Sequence, residues 1–138
     1  MLKTNHKQIR FYDTSALLGG APIEENSYIS SIVFDELEHI KTSSQKDESV
    51  KFAARALVRK LMCEADFMNE IFEQEELEKL MKKHRFLERK NDSLLICEAL
   101  LLSKKYDVTF VTQDACQCLI IENRFREITV EYFQEEKY

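Results

Sequence analysis

The chain has 138 residues, 44% apolar and 33% charged, with a formal net charge of −5, which is the composition of one globular domain over residues 1–138 and argues against a protein that coats DNA. The two glycines stand together at Gly19 and Gly20 and there is one proline, so collagen-like chains, the dinucleotide fingerprint and the P-loop are all excluded. The longest apolar stretch, Leu94 to Leu102, is broken by Glu98 and falls short of the ~20 residues a bilayer demands; with no signal-type apolar region in Met1 to Lys7, the reading is a cytoplasmic chain without a membrane span.

In chain order, Ile9 to Tyr12 reads as a short strand ended by Asp13. Thr14 and Ser15 can cap a single helical turn, Ala16 to Leu18, which Gly19 and Gly20 stop. Tyr28 to Val33 is rich in β-branched and aromatic residues and predicts a second strand. From Phe34 the period changes to helical, with Phe34, Leu37 and Ile40 on one face. The polar run Lys41 to Ser49 reads as a mobile surface loop. Val50 to Met62 is an amphipathic helix, with Lys51, Arg55 and Arg59, four residues apart, as a separate basic stripe. Another helix is expected from Glu75 to Leu87. Asp92 opens a buried helix over Leu94 to Ser103, Val108 to Thr112 is a strand, Asp114 caps a helix over Ala115 to Ile121, and Ile128 to Phe133 is a last strand. Alternating strands and helices predict an α/β layer fold on a mainly parallel sheet.

In such folds, sites lie beyond the carboxyl ends of strands. Asp13, Glu36 and Asp114 follow predicted strand ends, and Asp92 can face them from a helix N-terminus. Four carboxylates in one cleft repel each other and stay ionised only if something cationic compensates them. Mg²⁺ or Mn²⁺, hard cations that take oxygen ligands, would do so. Such a metal activates water and neutralises charge on a phosphate. Taken singly, each acid has a plainer role: Asp92 and Asp114 as helix caps, Glu36 beside a helix dipole, Asp13 in a turn.

Phe11-Tyr12-Asp13-Thr14-Ser15-Ala16-Leu17-Leu18 resembles the opening motif of PIN domains. Ile32 to Lys41 is similar to the second motif, in the form found in PIN domains attached to PhoH-type ATPases, and Arg55 in Ala53 to Leu57 resembles that subgroup's next helix. Asn91 to Leu100 is similar to the third motif and Phe110 to Asp114 to the fourth. The resemblance spans residues 9 to about 133. It implies a three-layer α/β/α PIN fold and a metal-dependent endoribonuclease that cuts single-stranded RNA. It carries over Asp13, Glu36, Asp92 and Asp114 as catalytic metal ligands, Thr112 and Thr14 as supporting hydroxyls, and Arg55 and Arg59 as RNA contacts. It is compatible with a homo-oligomer and with an antitoxin or ATPase partner. The chain departs from the pattern at Ser15, where the family usually has Asn, and at Asn91, one place for a further acid. The alternative reading is a PIN-fold module that binds RNA or protein without cutting.

The remaining chemistry-bearing residues read as structural. Cys63, Cys97, Cys116 and Cys118 are scattered and predict free thiols. His84 lies on an apolar stripe and reads as packed, and His39 as surface.

Overall fold

In the computed structural model, which describes residues 6–84 and 90–134, a four-stranded parallel sheet forms the centre. Strand β1 (Gln8–Tyr12) pairs on one side with β2 (Ser27–Ile29) and on the other with β3 (Asp107–Thr112), and β3 pairs with β4 (Thr129–Tyr132). The sheet order is β2-β1-β3-β4. Ile9, Phe11 and Tyr12 are each at most 1% exposed, so β1 is covered on both faces, as an inner parallel strand must be. Register puts Phe11 opposite both Tyr28 and Phe110. The three rings stack across the strands with centroids 5.2 Å apart in each pair, a cross-strand contact that adds to the area buried.

Among the described residues six helices fill the connections: α1 (Thr14–Leu18), α2 (Ser31–Thr42), α3 (Glu48–Cys63), α4 (Gln74–His84), α5 (Lys90–Leu102) and α6 (Ala115–Arg124). The β1-to-β2 and β3-to-β4 crossovers run in opposite directions along the sheet. Right-handed crossovers then put α1 and α6 on opposite faces, which makes the layers helix, sheet, helix. α2 packs on α3 and α4 on α5. One core runs through the sheet and helices, from Ile9 and Phe11 to Leu95, Leu102 and Ile121, and a smaller one joins Leu77, Cys97 and Leu101.

Several boundaries differ from the sequence expectation. The second strand ends at Ile29 rather than Val33, because Ser30 adopts a cap conformation and its hydroxyl accepts from the Ile32 N–H at 3.1 Å. Ile32 and Val33 therefore belong to α2, which begins at Ser31, three residues before Phe34, and Glu36 sits in the second turn of that helix instead of the first. Lys41 and Thr42 still belong to α2, and Glu48 and Ser49 already to α3, so the loop between these helices is 43–47. Asp92 is the third residue of α5 and not its cap. Asp114 does cap α6, accepting from Cys116 N–H at 2.9 Å and Gln117 N–H at 3.3 Å. The end of the helix expected to reach Leu87 lies outside the described residues. At the turn after α1, Gly20 has φ +96°, where an L side chain is strained.

β2 is not a bare edge. Met68 runs parallel to it, with Ile29 N–H donating to Met68 O at 2.9 Å and Met68 N–H to Ser27 O at 2.7 Å. Asn69 donates to Ile29 O at 2.7 Å, closing the strand end. All four cysteines are free thiols. His84 packs edge-on against Phe125, 5.0 Å between centroids, and burial lowers its pKa. Among the described residues no helix is long and apolar enough to cross a membrane.

Candidate active site

The strand order reverses between β1 and β3: the chain leaves β1 toward β2 on one side and returns on the other. Helices that lead away in opposite directions leave a crevice at that switch point. Asp13 directly follows β1 there, and Thr112 ends β3 beside it. Asp13 is 6% exposed and Thr112 0%.

Asp13 is held on both oxygens. Oδ1 accepts from Ala16 N–H at 3.0 Å, capping α1, and from the Ser15 hydroxyl at 2.7 Å. Oδ2 accepts from the Thr112 hydroxyl. Thr112 Oγ1 in turn accepts from Asp114 N–H at 3.0 Å, and Ser15 Oγ from Gln113 N–H at 3.0 Å. Two hydroxyls thus tie the end of β1 to the β3–α6 turn. Gln113 also lies over Gly19: a Cβ there would come within 2.0 Å of its amide nitrogen, so the glycine lets the turn approach α1.

Glu36 reaches the same place from α2. Thr14 donates to its Oε1 at 2.7 Å, and the Asn91 side chain also bonds to it. Burial is the main cause that raises the Asp13 and Glu36 carboxyls above their ordinary range. The hydroxyl and amide donors pull them back, and the charge of Asp92 raises both. Asp13 adds to the effect on Glu36. Asp13, Glu36 and Asp92 therefore share one electrostatic environment, although β1, α2 and α5 are far apart in sequence. Asp114 lies at the same sheet edge with one oxygen committed to its helix.

Three mutually repelling carboxylates that offer only oxygen are a donor set chemically suited to a hard divalent cation. Their positions are less closed than that chemistry asks. Among the described residues no group of three or more His, Cys, Asp or Glu side chains stands close enough to hold an ion. Of the two arginines expected near RNA, Arg55 is half-buried on α3 with Glu48 at 3.9 Å, and Arg59 is exposed.

The sequence marks Ser15 as a cap with Thr14 and as a departure from Asn; in the structure Asp13 is the cap, and the Ser15 hydroxyl holds Asp13 and accepts from Gln113 N–H. Sequence reasoning missed Glu98. This α5 residue is 6% exposed, its Oε1 has no partner among the described residues, and the Ser30 hydroxyl bonds to the carboxylate. Burial pushes its pKa to about 7. The visible signal was a lone acid inside an apolar helix run. A pocket of about 520 Å³ opens beside Thr14, Glu36 and Asn91, and nothing in the sequence order pointed to it.

Among solved structures, the chain is similar to a chain of VapBC-5 from Mycobacterium tuberculosis, a member of the VapBC family of toxin–antitoxin systems. The TM-score is 0.59 with 12% identity, over 91% of this chain and 98% of that one. It is also similar to a chain of VapBC2 from Rickettsia felis, solved bound to a DNA fragment from its promoter: TM-score 0.55 and 16% identity, over 91% and 99%. At these identities the likeness is one of fold. No curated protein matches in sequence. The family model for the PIN domain matches residues 12–126, a span that starts one residue before Asp13 and takes in Glu36, Asp92 and Asp114. With that match over most of its length, and with the parallel sheet to accompany it, the chain belongs to the PIN domain family.

Proposed function

We propose that the protein is a metal-dependent endoribonuclease that cleaves phosphodiester bonds in single-stranded RNA. The observation that carries this reading is the shared environment of Asp13, Glu36 and Asp92 at the strand switch point, where burial and mutual repulsion work against the charged forms. Carboxylates gathered in one place against burial and mutual repulsion point to chemistry. Asp13, Glu36 and Asp92 would hold Mg²⁺ or Mn²⁺, with Asp114 beside them. When bound, the metal supplies an activated water and neutralises charge on the phosphate. Thr112 and Ser15 fix the rotamer of Asp13, and Thr14 fixes Glu36. Arg55 and Arg59 remain proposed RNA contacts.

The fold neighbours come from toxin–antitoxin systems, which favours an antitoxin partner for this chain over an ATPase. The likeness to the PhoH-linked subgroup rests on the second motif and Arg55 alone.

A second reading is a PIN-fold module that binds RNA or protein without cutting. It is favoured by the absence, among the described residues, of three acids close enough to hold one ion. The test is incubation of mixed single-stranded RNAs with the protein in Mn²⁺ and in EDTA, with Asp13→Asn as control. Cleavage in Mn²⁺ alone, lost in the variant, supports the nuclease. RNA left intact by wild type sinks it.

A further inference from the structure

We propose that the pocket beside the carboxylates is a nucleotide subsite, which seats one nucleotide of a single-stranded chain next to the bond to be cut, its phosphate on Lys46 and its base against His39 and Ile40. The proposal rests on the nuclease reading and adds to it where the substrate lies.

The pocket, about 520 Å³, has two ends. Thr14, Glu36 and Asn91 form the end that belongs to the carboxylates. His39, Ile40 and Lys46 form the other. α2 sets the spacing. Glu36, His39 and Ile40 lie on one helix face at i, i+3 and i+4, so the two ends are about one turn, ~5.4 Å, apart along the axis. That is a step of about one nucleotide. Asp35 also reaches the wall. Its charge and that of Glu36 repel a phosphate, which leaves an anion the His39 and Lys46 end.

Lys46 differs from the basic residues on either side of it. Lys41 is paired with Glu38 at 3.1 Å, Lys51 with Glu48 at 3.4 Å, and Arg55 approaches the same Glu48 at 3.9 Å. Lys46 is exposed in the α2–α3 loop, and no described residue forms an ion pair with it. His39 is exposed as well, so its ring is available for stacking. A cation for the phosphate, a ring and an apolar surface for the base are the elements by which proteins hold single strands. Another cavity on α2, about 280 Å³ between α2 and α3, is lined by Phe34, Val58 and Met62, and its charged residue is Glu38. It offers nothing to a phosphate.

The experiment has two arms on the full chain. In EDTA, wild-type protein is titrated with 5′-AMP and followed by NMR. The signals of His39, Ile40 and Asn91 should move, and a His39→Ala/Lys46→Ala double variant should lose the response. In Mn²⁺, cleavage of a labelled single-stranded oligoribonucleotide should show KM raised about tenfold in the double variant, the equivalent of one lost phosphate contact, with kcat within about twofold. Lys51→Ala removes the same charge nearby and should leave both constants unchanged. AMP shifts at these residues in a protein that cuts no RNA would retain the subsite and remove the nuclease reading. Cleavage by wild type, with no AMP response in the pocket and KM unmoved in the double variant, overturns the subsite.

Discussion

The hydroxyl of Thr112, the last residue of β3, donates to the carboxylate of Asp13, which directly follows β1. The same oxygen accepts from Asp114 N–H at 3.0 Å, so one side chain orders the first acid and the turn that carries the fourth. Thr112→Val removes both bonds inside a fully buried site. It should cost about 1–3 kcal/mol, the price of leaving a buried polar group unsatisfied, while Thr112→Ser should restore most of the loss. Denaturant unfolding of the two variants measures this. Equal stability of Val and Ser would show that the hydroxyl orders nothing.

Asp13→Asn separates chemistry from folding. The amide can keep the Ala16 and Ser15 bonds through its oxygen, and the Thr112 hydroxyl can rotate to accept from its nitrogen. Burial disfavours the charged Asp13, so the neutral residue should leave stability in EDTA unchanged or higher. Mn²⁺-dependent cleavage should fall by orders of magnitude. A variant that cuts at the wild-type rate removes Asp13 from the site.

Divalent metal should raise the melting temperature of wild type, because it relieves repulsion that the unfolded chain lacks. At 100-fold above its dissociation constant the linkage is worth ~2.7 kcal/mol. The shift should shrink in Asp13→Asn and in Glu36→Gln. A melting temperature indifferent to millimolar Mg²⁺ and Mn²⁺ would favour the non-cutting reading.

Glu98 makes stability depend on pH. Its carboxyl goes from 4.5 in the unfolded chain to about 7 in the fold, so the native state holds the proton more tightly. The contribution is fully present below pH 4.5 and is lost as pH rises through about 7, an effect on the order of 3 kcal/mol. Asp13 and Glu36 are raised too and act with the same sign. Glu98→Gln should flatten the stability profile between pH 5 and 8, a window set by this shift, and stabilise the protein at the alkaline end. Parallel profiles for wild type and variant would show that Glu98 ionises in the fold as freely as in water.

Local chemistry was enough to read much of this protein. Alternating β-branched and amphipathic runs predicted the parallel α/β sheet, because each element must bury one face. Asp114 as the α6 cap was legible because Cys116 and Gln117, the residues it caps, are its neighbours in sequence, and the free thiols because the four cysteines are scattered. Tertiary structure decided the rest. Tyr28 to Val33 has the composition of one strand, yet Ser30 caps a helix and Asn69, from a distant segment, closes Ile29, so strand and helix meet at a point that propensity does not mark. The environment shared by Asp13, Glu36 and Asp92 depends on β1, α2 and α5 meeting at the switch point. The pKa of Glu98 depends on what covers it. The pocket with Lys46 draws its lining from α1, α2, the α2–α3 loop and α5. Burial and long-range charge are properties of the folded arrangement, and no window of sequence contains them.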